Sequence, residues 1–228
     1  MGEFTGFSEE TTRFLVDLTA HNEKAWLDAN RARYEAHWLE PAKAFVQAAA
    51  DALSDIAPDV NPQPEVNGSI MRINRDVRFS EDKRPYKDHL GIGIWEGDDK
   101  KAAASMFYVR ITADSVGLGA GGHGFAKDRL TAYRGAVVDD SSGPALVEAV
   151  TTAESAGWEI RGEHYKRTPT GYEAEGDAER LLRHNALWIG QEEDAPASLR
   201  SAAFIDYCMD GWRQMLPLHR WLVDNLQD

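Results

Sequence analysis

The chain has 228 residues, of which 43% are hydrophobic and 28% charged, with seven Trp, seven Tyr and eight Phe. This composition predicts one packed domain over residues 1–228 and excludes a low-complexity or disordered protein. The formal net charge of −13 argues against an extended nucleic-acid surface or a footprint on an anionic membrane. The first ten residues lack a signal-peptide pattern, and no window approaches the roughly 18 apolar residues of a membrane span, so we expect a cytoplasmic protein.

The first part of the chain has the pattern of consecutive helices. Ser8 can cap a helix that runs to about His21, and Asn22 can cap a second helix that reaches Pro41. A third helix can begin at that proline, because its fixed φ angle suits a first helical turn. We therefore predict a helical region over residues 8–57. Apolar side chains recur along it at helical spacing, namely Phe14, Leu15, Leu18, Trp26, Leu27, Tyr34, Trp38, Phe45, Val46 and Ala49.

The next region, residues 66–125, changes to a period of two and is predicted to be rich in strands. The clearest strands are His89–Trp95 and Met106–Thr112, with Gly97–Lys100 as the turn between them. Ser115–Leu118 is a third candidate strand. Because the strands follow one another through short turns, we expect an antiparallel meander.

The rest of the chain is predicted to be mixed over residues 126–190 and helical over residues 196–226, with Pro217 kinking or splitting the last helix. Helices first, strands in the middle and helices last indicate a single α+β domain with a mainly antiparallel sheet, since a βαβ protein would alternate. The predicted elements of the mixed region are helices at Lys127–Val138, Pro144–Ala156 and Asp177–His184 and strands at Trp158–Tyr165 and Leu187–Ile189.

The most informative stretch is Arg72–Lys87, which carries six basic and three acidic side chains and thus a local charge of +3. If residues 72–80 form a strand, Arg72, Asp76 and Arg78 lie on one face together with Asn74 and Ser80. An Arg fork matches carboxylate or phosphate oxygens in pairs, and an acidic residue between two Arg side chains would hold them extended.

The same stretch predicts a pocket for a small anion that bears phosphate or carboxylate. Tyr86 can supply a hydroxyl group, while Lys83 and Lys87 can close over the ligand from the following loop. The sequence does not decide between binding and turnover, and it assigns no catalytic residue. The predicted ligand-binding residues are Arg72, Arg75, Asp76, Arg78, Lys83, Tyr86 and Lys87.

Two other interpretations fit these residues. In the first, Arg72, Asp76 and Arg78 form a buried ion-pair network with the first helices and bind nothing. In the second, the basic loop of a non-enzymatic scaffold protein docks an acidic protein surface, either on a partner or on another copy of the chain. The partners considered for the buried network are Asp17, Asn22, Glu23, Asp28 and Asn30.

Residues 75–87 read RDVRFSEDKRPYK. This run resembles the RDxRFSxDKxPYK signature of the bacterial and fungal family catalogued as domain of unknown function 2461. The resemblance supports a placement in that family, and it implies no reaction, substrate or cofactor. It extends over most of the chain, through Phe14, Leu15, Asn22, Trp26, Asn30, Arg31, Tyr34, Leu130, Arg134 and Pro169–Tyr172.

The weaker motifs point to less specific roles. Gly117–Gly122 fits GxGxxG but follows meander strands, so we interpret it as a hairpin end or tight turn and not as a dinucleotide site. The seven His residues include no HExxH pair, and the chain has no CxxC motif, so no metal or cofactor is predicted. His89 and His164 are the first candidates for acid–base chemistry. Cys208 has apolar neighbours and is predicted to be a buried thiol.

Overall fold

A computed structural model describes residues 2–97 and 105–226 of the chain. It shows a single α+β domain with a five-stranded antiparallel sheet, which confirms the predicted fold class. The strand order is β1-β2-β3-β5-β4. The strands are β1 (Leu90–Trp95), β2 (Met106–Ile111), β3 (Ser115–Gly122), β4 (Glu159–Glu163) and β5 (His184–Asp194).

The helices agree closely with the predicted segments in the mixed region and less closely near the N-terminus. Most of the turn predicted at Gly97–Lys100, namely residues 98–100, lies outside the described residues. The helices are α1 (Glu9–Ala20), α2 (Lys24–Ala29), α3 (Arg31–Tyr34), a π-helical turn (Glu35–Leu39), α4 (Glu40–Leu53), α5 (Lys127–Val138), α6 (Ser142–Ser155), α7 (Gly176–Leu182), a 3₁₀ turn (Ala197–Arg200) and α8 (Phe204–Leu226).

The second predicted helix is in fact interrupted. Asn30 lies between α2 and α3 with a non-helical backbone (φ −105°, ψ 19°). Its side-chain amide donates to the Trp26 carbonyl oxygen at 3.0 Å, a local bond that competes with the helical pattern. Pro41, by contrast, lies in the first turn of α4, as predicted.

Pro217 does not split the last helix, because α8 continues through it. A proline inside a helix removes one backbone hydrogen bond. Buried apolar side chains lie on both sides of it, including Trp212, Met215, Leu218 and Leu222. We attribute the continuity of α8 to this apolar face, which favours a helix across the proline.

Within the fold, the chain divides into two compact units. The first unit comprises Met1–Ile94, Tyr108–Gly117 and Glu192–Asp210. The second unit comprises Trp95–Phe107, Leu118–Gln191 and Gly211–Asp228.

The core of the first unit contains a cluster of phenylalanine rings. Phe4 packs edge-on against Phe7 and Phe45, each with ring centroids 5.3 Å apart, and Phe7 meets Phe204 at 6.0 Å. Arg200 donates to the carbonyl oxygen of Phe7 at 3.3 Å. These contacts hold the residues before α1 against the start of α8 and thereby fix the position of α1.

The glycines of the GxGxxG motif lie within strand β3, so the predicted turn at Gly117–Gly122 is wrong. A Cβ atom on Gly119 would lie 3.0 Å from the Ile189 carbonyl oxygen. One on Gly121, which has φ +134°, would lie 2.4 Å from the Leu187 carbonyl oxygen. Gly119 and Gly121 are therefore needed for the close approach of β3 to β5, and the motif forms no nucleotide-binding turn.

Candidate functional site

The signature segment begins and ends as a short antiparallel pair. The backbone N–H of Arg75 donates to the Pro85 carbonyl oxygen, and that of Lys87 donates to the Ile73 carbonyl oxygen, both at 2.8 Å. Residues 76–84 project from this pair as a loop whose two ends are joined. We call these residues the signature loop.

The strand predicted over residues 72–80 is therefore wrong. Asp76 accepts a hydrogen bond from the Arg78 backbone N–H at 3.2 Å, and the Ser80 N–H contacts the Val77 carbonyl oxygen at 3.4 Å. Such local bonds satisfy the backbone within a turn and compete with pairing to a neighbouring strand. As a result, the basic side chains do not share one strand face.

Asn22 anchors the signature segment to the chain between α1 and α2. Its side-chain amide donates to the Tyr86 carbonyl oxygen at 3.1 Å and accepts from the Tyr86 N–H at 2.9 Å. An amide can do both because it carries a donor and an acceptor. The predicted role of Asn22 as a helix cap is wrong, since Glu23 precedes α2.

The anchored segment borders a cavity of about 150 Å³ in the first unit. This volume suits the acid group of a ligand, because pockets that enclose a whole drug-sized molecule measure roughly 300–1,000 Å³. Three cations and two carboxylates line it, so its wall has a net positive charge. The lining residues are Asn22, Arg75, Asp82, Arg84, Tyr86, Lys87, Asp88 and His89.

Asp82 joins the two arginines of the wall. Arg84 donates to its carboxylate through Nε and Nη2, with the shortest contact at 2.8 Å, and Arg75 donates from Nη1 at 2.7 Å. The Arg84 hydrogen bonds first, and then Arg75, hold the pKa of Asp82 well below its ordinary value. One ionised carboxylate is thus shared by two guanidinium groups, which leaves positive charge in the wall.

Lys87 is the cation of the wall that lacks a counterion. The side chain is half-buried, and its ammonium group makes no hydrogen bond or ion pair within residues 2–97 and 105–226. Burial, followed by the positive charge of Arg72, lowers the pKa of Lys87. Because the charged form is unfavourable there, a bound anion would relieve the cost.

Asp88 and His89 form a pair beside this lysine. The Asp88 pKa is lowered, first by a 2.8 Å hydrogen bond with His89 Nδ1 and also by Arg110. Burial lowers the pKa of His89 in spite of this neighbour, so the ring is neutral at pH 7. His89 Nδ1 lies 2.8 Å from the Asp88 carboxylate, which only accepts, and 3.4 Å from Arg110 Nη2, which only donates. The shorter contact favours the tautomer with the hydrogen on Nδ1, in which Nε2 keeps a lone pair that can act as a base.

Three of the seven predicted ligand-binding residues line the cavity, namely Arg75, Tyr86 and Lys87. The other four lie outside its wall. Arg72 is exposed and acts on Lys87 only through its charge. Asp76 and Arg78 pair with each other at 2.7 Å. Lys83 donates to the Val77 carbonyl oxygen at 3.0 Å.

The buried ion-pair network considered as an alternative is also wrong. Arg78 and its partner Asp76 are both exposed and lie two residues apart. Two of the acidic residues considered as partners pair elsewhere, Asp17 with Arg33 at 2.9 Å and Asp28 with Lys24 at 2.6 Å. The polar contact that does reach the first helices is the Asn22 amide described above.

Sequence reasoning did not assign four residues of the cavity wall to the site. Asn22 lies 64 residues from its partner, so no local pattern reveals the contact. Asp82 and Arg84 lie inside the signature, where their Asp-x-Arg spacing is a local signal for pairing. Asp88 directly precedes His89, and an acidic neighbour of a candidate histidine is a signal that could have been used.

A second polar cluster lies in the second unit. Ser105 Oγ contacts His219 Nδ1 at 2.9 Å, and His219 Nε2 contacts the Glu96 carboxylate at 2.7 Å. Arg220 donates to the same carboxylate at 2.9 Å. Burial opposes ionisation of Glu96, but its hydrogen bond to His219 and the charge of Arg220 outweigh burial and lower its pKa.

This cluster has the Ser-His-Glu order of a hydrolytic relay, which the sequence did not reveal because its members lie 114 and 123 residues apart. Ser105 and Glu96 are each 2% exposed and His219 is fully buried. A nucleophile must reach its substrate, and this hydroxyl is enclosed. We therefore interpret the cluster as a structural network.

The remaining sequence candidates lie elsewhere. His164 follows β4 and is exposed, outside the cavity wall. Cys208 is buried, as predicted, and burial raises the pKa of its thiol well above the ordinary value. The described residues contain no group of three His, Cys, Asp or Glu side chains placed to hold a metal ion. Among them, no helix is both long enough and apolar enough to cross a membrane.

Comparison of the sequence with protein-family models places the chain in a family. The model of the family described as "Conserved hypothetical protein (DUF2461)" matches residues 10–221. The chain belongs to this family, as its signature residues indicated. No curated protein matches the chain.

Proposed function

We propose that this member of the DUF2461 family binds a small ligand through a phosphate or carboxylate group in the cavity beside the signature loop. The observation that carries the proposal is Lys87, a half-buried ammonium with no counterion among the described residues. It lies in a wall that already contains Arg75 and Arg84. Charged groups held without a partner in a cavity are typical of ligand sites.

Each residue of the wall has a role in this proposal. Lys87 neutralises the acid group, while Arg75 and Arg84, held in place by their shared carboxylate, present guanidinium N–H groups to it. The Tyr86 hydroxyl donates a further hydrogen bond. Asn22 keeps Tyr86 in place through the backbone. Because the cavity is small, the rest of the ligand extends beyond it.

A thermal-shift screen tests this function. The purified protein is heated with phosphorylated metabolites, nucleotides and organic acids, beside Lys87→Met and the matched control Arg78→Ala. A ligand at a hundredfold excess over its dissociation constant should stabilise the wild type by about 2.7 kcal/mol. Lys87→Met should lose this response and Arg78→Ala should keep it, because Arg78 is exposed and lies outside the wall.

Two results would contradict the proposal. One is a wild type that responds to no compound in the panel. The other is a Lys87→Met variant that responds like the wild type, because the ligand would then bind away from the unpaired ammonium.

A second step, turnover of the ligand, is favoured by the Asp88–His89 pair. Its neutral imidazole can take a proton through Nε2, and the ionised carboxylate would stabilise the imidazolium that forms. Once a ligand is known, His89→Gln should retain binding and stop product formation. Equal rates of product formation by the two proteins would show that His89 is not the base, and a wild type that forms no product would limit the function to binding.

The proposal also includes a cytoplasmic location. It is supported by the single cysteine of the chain, which excludes an internal disulfide. Small secreted domains, in contrast, are often rich in disulfides. Fractionation of cells that express a tagged chain tests the location, and recovery with the exported proteins would contradict it.

A further inference from the structure

One primary amine lines the cavity beside the signature loop, that of Lys87. Its side chain is half-buried, and its ammonium group has no hydrogen bond or ion pair with any described residue. A carboxylate partner would favour the charged form, in which the nitrogen has no free lone pair. Because Lys87 has no such partner, its amine can react as well as bind an anion.

The surroundings of Lys87 favour its neutral form. Burial, followed by the positive charge of Arg72, lowers the pKa of the amine. A lysine that is desolvated or lies beside another cation is a recurrent nucleophile for carbonyl compounds, with which it forms a Schiff base. The Lys87 N–H donates to the Ile73 carbonyl oxygen at 2.8 Å, so an ordered backbone carries this amine.

A proton carrier lies two residues further along the chain and lines the same cavity, namely His89. Burial lowers the pKa of His89 most, and the charges of Arg110 and Lys87 lower it further. The histidine and the lysine therefore interact across the cavity. A neutral imidazole beside an amine can take a proton from the nitrogen and pass it to an oxygen atom of the ligand.

The other cations of the wall provide a place for a carboxylate close to this amine. Asp82 accepts from Arg75 Nη1 at 2.7 Å and from Arg84 Nη2 at 2.8 Å, which fixes both guanidinium groups. The cavity measures about 150 Å³, room for roughly five water-sized groups at about 30 Å³ each. In so small a space, the atom next to a bound carboxylate lies near Lys87.

We propose that Lys87 forms a Schiff base with a 2-oxo acid, a ligand whose carbonyl group is bonded directly to its carboxylate. The inference rests on the proposed function, because Arg75 and Arg84 must hold the carboxylate, and it names the class of ligand. The carboxylate and the carbonyl group of such an acid together fill the cavity. Any longer chain extends beyond it.

The reaction needs no further reactant. His89 Nε2 takes a proton from the Lys87 ammonium, and the freed lone pair attacks the carbonyl carbon, so that a C–N bond forms. His89 transfers this proton, and then a second one from the nitrogen, to the carbonyl oxygen, whose bond to carbon breaks as water leaves. The nitrogen lone pair closes the C=N bond. The resulting iminium keeps one proton and its positive charge, which the carboxylate of the ligand balances.

Borohydride trapping tests the Schiff base. Sodium borohydride reduces an iminium to a stable secondary amine, which mass spectrometry detects in the intact protein and in its peptides. With pyruvate or glyoxylate as the probe, the wild type should gain one adduct at Lys87, with the mass of the oxo acid less one oxygen atom. Lys87→Met should form no adduct, and circular dichroism checks that this variant is folded.

Three further variants sharpen the test. Lys87→Arg keeps the positive charge but offers no nucleophilic amine, so it should bind inorganic phosphate in isothermal titration and form no adduct. Lys83→Met is the matched control and should form the adduct like the wild type, because Lys83 is exposed and lies outside the cavity wall. His89→Gln should form the adduct about 100-fold more slowly, the contribution of a positioned proton carrier.

Two results would overturn the Schiff base. One is a wild type that traps neither oxo acid, and the other is a Lys87→Met variant that traps them as the wild type does. Titration of the wild type with phosphate and acetate separates this failure from that of the proposed function. A wild type that binds these anions but forms no adduct loses the Schiff base alone, whereas one that does neither loses both. An unchanged rate in His89→Gln would contradict the role of His89.

Discussion

The two polar clusters of this protein differ in how completely their charges are paired. In the second unit, Glu96 is buried and bonded to both His219 and Arg220. In the first unit, Lys87 is half-buried and has no counterion among the described residues. In a fully paired buried network every charge is satisfied within the protein. An unpaired cation in a cavity wall, in contrast, lowers the stability of the folded protein. This difference supports our proposal of an anion site at the first cluster.

The largest expected effect comes from breaking the buried network. Glu96→Ala should lower the free energy of unfolding by roughly 3–5 kcal/mol, because it leaves buried polar partners without a carboxylate. Urea denaturation measures this change. Anion binding by the fraction that stays folded should be unaffected. A loss below about 1 kcal/mol would show that the network matters little for stability.

The next effect concerns affinity. Lys87→Met should weaken anion binding about 30-fold or more, since the ligand loses a half-buried charge partner. The same variant should unfold at a higher urea concentration than the wild type, because an unfavourable charge has been removed. Isothermal titration and urea denaturation measure the two changes. A variant that both binds normally and is less stable would assign Lys87 to structure.

Anion binding should also depend on pH in the alkaline range. The pKa of Lys87 is lowered in the free protein, and a bound anion would raise it, so the complex holds a proton that the free protein loses. Affinity should therefore be full below the lowered pKa and fall as pH rises through it, by at most about tenfold per pH unit. Titrations at several pH values measure this slope. Lys87→Met should show none of it, and an unchanged slope in the variant would place the titrating group elsewhere.

The lowered pKa of Lys87 also predicts how the stability of the unliganded protein depends on pH. The unfolded chain binds more protons than the folded one between the lowered pKa and the ordinary value of 10.5, so the lysine's contribution makes stability rise with pH across that window. Comparison of wild type and Lys87→Met by urea denaturation isolates this contribution. A difference between the two proteins that stays constant with pH would contradict the lowered pKa.

The smallest effect is expected at Arg78, although it lies in the middle of the signature. Arg78→Ala should change anion affinity less than twofold, because an exposed ion pair between residues two positions apart contributes little. The titration used for Lys87→Met measures it. A strong loss of anion binding in Arg78→Ala would mean that the signature loop folds over the ligand. Arg78 would then belong to the binding site.

The sequence predicted the position of the candidate site better than its geometry. Charge reversal in an acidic chain drew attention to the segment that borders the cavity, and three of the predicted residues, Arg75, Tyr86 and Lys87, line it. The strand predicted over residues 72–80 was wrong because a period of two has a second cause. It also arises where an Asp and an Arg two residues apart form a local ion pair. Arg78 with Asp76 is such a pair, and its local bonds take the chain out of a sheet.

What the sequence determined by itself is the local structure that depends on short-range periodicity. Helix α5 was predicted at its observed bounds, since apolar side chains at helical spacing need only a buried face. What only the tertiary structure decided is the set of contacts between distant residues. The hydrogen bonds between Asn22 and Tyr86, and those that link Ser105 through His219 to Glu96, join residues that no local pattern connects. Packing brings such groups together, because a buried polar atom must find its partner wherever the fold places one.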